Sequence, residues 1–201
     1  MSPTVVALTF AAIFVVELPD KTFIAALVLS TRYRGILVWL GVGLAFLVQT
    51  LIAVTVGKAV TFLPTDVVHA VAALIFLAGA FLLAREAPKA DAEEHETEEE
   101  FAAKATTTKT GWAAVVASFL VLFAAEWGDL SQLLTISLVG RYDDPVAVFL
   151  GAWGALLAVS GLAVVSGRFL LRRVRLSVIH YIGAGVCLML AGITAYDLLL
   201  G

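Results

Sequence analysis

The sequence predicts an all-α integral membrane protein, with six transmembrane helices forming two inverted three-helix repeats and both termini on the outer side. Three observations predict this. The chain is 61% hydrophobic and only 14% charged, against about 25% charged in a soluble domain. With a mean hydropathy of +1.01, it has too little polar surface for a soluble globule. Six apolar stretches approach the roughly 20 residues that a membrane helix needs. A Glu-x-x-Asp motif occurs once in each half, as Glu17 to Asp20 and as Glu126 to Asp129.

The first stretch, residues 4–30, is long and interrupted by Glu17, Asp20 and Lys21. The second and third cover 36–56 and 67–84. A hydrophilic segment follows at 85–110, holding Asp91, Glu93, Glu94, Glu96, Glu98, Glu99 and Glu100. Such a charge run reads as a solvated, disordered linker; a low-affinity metal-sensing loop that includes His95 is the alternative. The fourth stretch, 112–139, is again long and interrupted, here by Glu126 and Asp129. The fifth and sixth cover 146–166 and 177–200. The chain thus divides into a first three-helix repeat over 1–84, an acidic cytoplasmic linker over 85–110 and a second repeat over 111–201. Trp39 and Trp112 open spans, and Tyr33 and Tyr142 close them, as in an aromatic belt. Gly41, Gly43, Gly151, Gly154, Gly183 and Gly185 permit close helix packing.

Orientation follows from the basic residues. Of the thirteen Lys and Arg, ten fall in loops one, three and five: Arg32, Arg34, Arg85, Lys89, Lys104, Lys109, Arg168, Arg172, Arg173 and Arg175. Only Lys58 and Arg141 lie on the other side, and Lys21 is inside the first span. The positive-inside rule makes the basic loops cytoplasmic and places both termini outside. The cell inner membrane is the expected location. The cluster Arg172, Arg173 and Arg175 reads first as a topology signal, with anionic lipid head groups as a further partner.

The halves align at an offset of 109 residues. Glu17-Leu-Pro-Asp20-Lys-Thr22 matches Glu126-Trp-Gly-Asp129-Leu-Ser131, and Thr31-Arg-Tyr33 matches Gly140-Arg-Tyr142. After a one-residue slip, Gly57-Lys58 matches Gly167-Arg168. With three helices per half, the second half enters from the opposite side. Many secondary transporters share this plan and hold their site at the repeat interface near the midplane.

Glu17 and Glu126 fall near the centres of their spans. An ionised carboxylate there costs about 2.5–3.5 kcal/mol on insertion scales, so intramembrane acids are functional by default. A spacing of i, i+3 puts each Glu and Asp on one helix face. Two such faces meeting on a pseudo-twofold axis bring four carboxylates together, and a cation or protons must offset their repulsion. Pro19 frees a carbonyl, Gly128 is permissive, and broken helices can line an ion site at membrane depth. Thr22 and Ser131 add hydroxyl oxygens, and Gln132, Gln49 and Thr50 are further polar candidates. The metal candidates are therefore Glu17, Asp20, Glu126, Asp129, Thr22, Ser131, Gln132 and Gln49. An all-oxygen set suits Mg²⁺, Ca²⁺ or Mn²⁺.

Other residues read as background. Lone Cys187 excludes an internal disulfide and any Cys-based zinc site. There is no basic patch for nucleic acid, and no cofactor is implied. His69 and His180 lie near the starts of spans and read first as interfacial, with a metal or proton-relay role as the alternative; Asp66 and Asp197 lie at membrane edges. Trp127, inside the second motif, either walls the site or packs. The bland alternative for the motifs is helix-end anchoring, or a Lys21–carboxylate pair that glues helices.

With these signatures the chain resembles the calcium:cation antiporter-2 family, also known as uncharacterised protein family sixteen. These small membrane proteins of Golgi, chloroplast and bacterial membranes carry two Glu-x-Gly-Asp-(Lys/Arg)-(Thr/Ser) signatures. The resemblance covers nearly the whole chain. It implies Mn²⁺ or Ca²⁺ transport in exchange for protons, with Glu17, Asp20, Glu126 and Asp129 binding the ion and Thr22 and Ser131 in support. Two positions depart from the family pattern: Pro19 replaces Gly, and Leu130 replaces the basic residue of the second signature. The expected function is a secondary transporter, not an enzyme, whose substrates are a divalent metal ion and protons. As a monomer or homodimer it would export metal, driven by protons entering down an inward gradient. The rivals are a proton-independent uniporter or channel, an intramembrane metallohydrolase, and a purely structural membrane protein.

Overall fold

A computed structural model describes residues 1–18, 20–104, 109–173 and 175–200, and every regular element in them is an α-helix. In chain order these are α1 (Pro3–Glu17), α2 (Lys21–Arg32), α3 (Gly35–Val60), α4 (Thr65–Glu86), α5 (Ala90–Lys104), α6 (Trp112–Ala125), α7 (Leu130–Tyr142), α8 (Pro145–Arg173) and α9 (Leu176–Leu200). Four of them are long and apolar enough to cross a membrane: α3, α4, α8 over Pro145–Ser166 and α9 over Leu176–Leu199. The pair α6 and α7, bent by 73° at its break, makes a fifth span if taken as one. α1 is a shorter apolar helix of 15 residues. The two long stretches that carry the acidic motifs are therefore both broken, one between α1 and α2 and one between α6 and α7.

The bundle has the inside-out character of a membrane protein. Large apolar side chains such as Leu74, Phe81 and Val165 stand exposed on its outside. Buried positions are often small, and helices approach closely there, as expected where van der Waals contact drives association. α1 packs on α8, α6 on α3, and α4 on α9. A methyl group on Gly41 would sit 2.3 Å from the Val115 carbonyl oxygen, and one on Gly151 would sit 2.6 Å from that of Val6. The fully buried Thr9 and Ser118 face these same two glycines. Stacked ring pairs, Phe10–Phe14 and Phe119–Phe123, follow on each helix. Val6 and Val115, Thr9 and Ser118, Phe10 and Phe119, and Phe14 and Phe123 all stand at the offset of the acidic motifs. Between α3 and α8, the Trp39 indole donates to the Leu157 carbonyl (3.0 Å) and the Trp153 indole to that of Gly43 (3.1 Å).

The acidic segment corrects the expectation of a disordered linker. It forms α5, which lies against α2 and touches α9. Ala87, Ala90 and Phe101 are buried. Residues 90 and 101 are three helical turns apart, so they fall on one face. Glu is a good helix former, and Lys104 pairs with Glu100 one turn earlier at 2.6 Å. A thin apolar seam and a favourable propensity thus outweigh the charge. The side chain of His95 lies outside the described residues, as do those of Arg168, Arg172 and Arg173.

The end of the bundle away from α5 is tied by polar contacts. Asp144 accepts the Ser2 N–H at 2.7 Å and lies 3.5 Å from the N-terminal amine. Lys58 at the end of α3 pairs with Asp143 at 2.7 Å. Arg141 at the end of α7 pairs with Asp197 of α9 at 2.6 Å and also donates to Thr194.

Candidate cation site

Both breaks put a Glu at the end of one helix and an Asp at the start of the next. Glu17 is the last residue of α1, and Asp20 is the N-cap of α2. Glu126 is the C-cap of α6, and Asp129 is the N-cap of α7. The expectation that each pair shares one helix face is thus corrected. The helix stops between them, and convergence comes from the break. The physical cause in the second half is Gly128, whose φ of +81° is left-handed and nearly free of cost only for glycine. Its N–H donates to the Gln132 side-chain oxygen at 3.2 Å. In the first half, Asp20 Oδ1 accepts the Lys21 N–H at 2.6 Å. Pro19 lies outside the described residues.

The breaks bring the four acids together. One oxygen from each of Glu17, Asp20, Glu126 and Asp129 lies within 4.8 Å of the others. Glu17 and Glu126 are buried, and Asp20 and Asp129 are half-buried. Thr22 Oγ1 donates to Glu17 Oε1 at 2.8 Å and also lies beside Glu126, while the Ser131 hydroxyl lies beside Glu17. Both hydroxyl residues are buried. Glu17 Oε2, Glu126 Oε2 and Asp129 Oδ2 are buried with no hydrogen-bond partner among the described residues. Two like charges at this separation repel by roughly 3–4 kcal/mol at an effective dielectric near 20. A buried acceptor without a donor costs about 1–3 kcal/mol, more if charged. This arrangement is poised for positive charge.

Gln49 is buried, and its amide donates to the Phe123 carbonyl of α6 at 3.1 Å. Gln132 secures Gly128. Thr50 is buried beside Gln49. Lys21 is exposed and makes no ion pair with the four acids among the described residues; its charge acts on Glu100 of α5. Trp127 is exposed and packs against Phe123, 5.2 Å between ring centres, so it does not wall the site.

Sequence reasoning missed two residues. A cavity of about 240 Å³ adjoins the acids, lined by Asp20, Gly128, Asp129 and Leu130 together with Glu86 and His180. A second, of about 120 Å³, is lined by Asp20, Glu86 and His180 again, with Lys21, Glu93 and Thr97. His180, expected at an interface, is instead 8% exposed and faces both cavities. Its position near the start of a span gave no such signal; only the packing of α4 on α9 places it there. His69 is half-buried and lines neither cavity.

A sequence model of the family described as divalent cation/proton antiporter GDT1 matches the chain twice, over residues 5–91 and 114–200. Among relatives, a GDT1-like protein of Synechocystis (sll0615) is 36% identical over 85% of this chain and 86% of its own length. The chloroplast PAM71-homolog protein of Arabidopsis thaliana is 32% identical over 93% of this chain but only 58% of its own, so the chain spans little more than half of that relative. A Vibrio cholerae protein provisionally named a manganese exporter is 29% identical over 96% of this chain and 91% of its own length. No solved structure matches. Two matches to one family model, one on each acidic motif, identify the chain as a membrane cation transporter that belongs to the divalent cation/proton antiporter GDT1 family.

Proposed function

We propose that the protein exchanges a divalent cation, Mn²⁺ or Ca²⁺, for protons, and exports the metal from the cytoplasm across the cell inner membrane. The observation that carries this reading is the cluster of four carboxylates within 4.8 Å, with three buried oxygens that have no hydrogen-bond partner among the described residues. Glu17, Asp20, Glu126 and Asp129 hold the ion, and Thr22 and Ser131 contribute hydroxyls. Gln49 and Gln132 act one step back, by fixing α6 and the second break. When the metal leaves, the acids cannot remain together as four bare charges, so protons take its place. Metal and protons compete for the same oxygens, and that competition is the coupling.

In this reading α1 with α2, and α6 with α7, each form one broken span, which gives six. Residues 1–84 and 111–201 are two inverted repeats joined by the segment 85–110, and both termini face outward. The paired packing of α1 on α8 and α6 on α3 supports this, as does the equal spacing of the two family matches.

The test is Mn²⁺ and Ca²⁺ uptake into proteoliposomes with an internal pH dye. Metal entry with opposite proton movement, both lost in Glu126→Gln, is the expected result. Metal flux indifferent to an imposed proton gradient would replace the exchanger by a uniporter or channel, and undiminished flux in Glu126→Gln would sink the site.

A further inference from the structure

Two cavities lie beside the acids. Their shared lining is Asp20, Glu86 at the C-terminus of α4 and His180 in the first turns of α9. The outer cavity also reaches Glu93 and Thr97 of α5. The opposite end is tied by the contacts of Asp144, Lys58 and Arg141. A cation that reaches Asp20 from the α5 side therefore passes Glu86 and His180.

His180 is prepared as a ligand. Its Nδ1 lies 3.0 Å from the Leu176 carbonyl oxygen. A carbonyl only accepts, so Nδ1 carries the proton and the Nε2 lone pair is left free. Nε2 has no partner among the described residues, and the ring is 8% exposed against the cavities. A ring nitrogen held by a backbone carbonyl, with the other open, is the usual arrangement of a metal-binding histidine. Imidazole takes first-row transition cations, whereas Ca²⁺ is held by oxygen. The four inner acids, being all oxygen, draw no such distinction.

We propose that Glu86 and His180 form an outer cation station in the access path, next to Asp20, and that this station favours first-row transition dications over Ca²⁺. It rests on the exchanger reading for its purpose. The station holds the ion before the inner acids do, still partly hydrated, so it governs capture at low concentration rather than the turnover of a filled site.

The test is transport by the full chain in proteoliposomes, with Mn²⁺ and Ca²⁺ each varied at fixed pH. In His180→Gln the KM for Mn²⁺ is expected to rise about tenfold, equivalent to about 1.4 kcal/mol, with kcat and the KM for Ca²⁺ unchanged. In Glu86→Gln, an exposed position that tolerates change, the KM for both ions is expected to rise. An independent readout uses Leu133→Cys on the cavity wall in a Cys187→Ser background. A charged, impermeant thiol reagent should label it from the α5 side alone, and Mn²⁺ should slow the labelling unless His180 is replaced. Normal wild-type exchange with an unchanged Mn²⁺ to Ca²⁺ preference in His180→Gln would overturn the station and leave the exchanger standing. So would equal rises in both KM values in that variant, or labelling that Mn²⁺ does not slow. Absence of any wild-type flux would overturn the exchanger itself.

Discussion

The two breaks place equivalent acids in equivalent positions by different means. In the first, the carboxylates themselves are held: the Thr22 hydroxyl donates to Glu17, and the Lys21 backbone N–H donates to Asp20. In the second, the backbone is held: Gly128 turns left-handed and Gln132 secures its N–H. Asp129 makes no capping hydrogen bond, and Asp129 Oδ2 and Glu126 Oε2 are both unpartnered. Each acid of the first pair has one oxygen held, although Glu17 Oε2 is also without a partner among the described residues. A duplicated motif preserves where the oxygens stand, not how they are kept there.

The largest expected effect tests that difference. Glu126→Gln and Asp129→Asn should each lower metal flux at least 100-fold and yet raise the metal-free thermal midpoint, because an amide can donate to the neighbouring buried oxygens that lack a partner among the described residues. Glu17→Gln should abolish flux with a smaller rise, since Thr22 already satisfies one of its oxygens. Flux assays and thermal melts of the purified variants give both readings. Equal rises in the two halves would erase the distinction.

Next come the glycine contacts that the halves share. Gly41→Ala and Gly151→Ala each push a methyl group against a backbone carbonyl of the facing helix. Overpacking of this kind costs about 1–3 kcal/mol. Similar losses of thermal midpoint would show equivalent packing of α6 on α3 and α1 on α8, and a gap beyond that range would show that one contact yields.

Gly128→Ala is sterically open, since nothing lies within 4 Å of the added carbon. Its φ of +81° still costs an L-residue about 1–2 kcal/mol. Flux should fall and stability drop by that amount. An unchanged variant would mean that the second break does not depend on the glycine.

The smallest effect is at Asp144. The Ser2 N–H, with that of Ala147, holds its carboxyl below the usual carboxylate range. A lowered folded value means that the contribution is present above the ordinary carboxylate pKa and is lost as pH falls through the depressed one. Amide exchange at the N-terminus should quicken in acid, and Asp144→Asn should flatten that dependence. A profile identical in both proteins would remove Asp144 from the account.

Much of this was legible in the sequence, for physical reasons. Charges and a Pro or Gly at span centres announced broken helices, and the offset of 109 residues tied the acids together. The rest depended on packing. The run around Glu98 looked disordered because its seam is only Ala87, Ala90 and Phe101. An amide such as Gln49 or Gln132 serves equally as ligand or as brace, and only the structure shows the partners Phe123 and Gly128. Glu86 and His180 are distant in sequence and ordinary by type. They matter because α4 and α9 pack together and deliver both to the same break.

The ion pairs at the end away from α5 have a consequence for the working cycle. In the exchanger reading, opening the far side parts Lys58 from Asp143 and Arg141 from Asp197. The first pair is exposed on both partners, and salt screens such pairs over about 8 Å at physiological ionic strength. Raising the ionic strength of the bath on that face loosens the latch, while the same change on the α5 face leaves it untouched. Exchange that responds to saltiness on that side of the membrane alone would show the exposed Lys58–Asp143 pair acting as a directional latch.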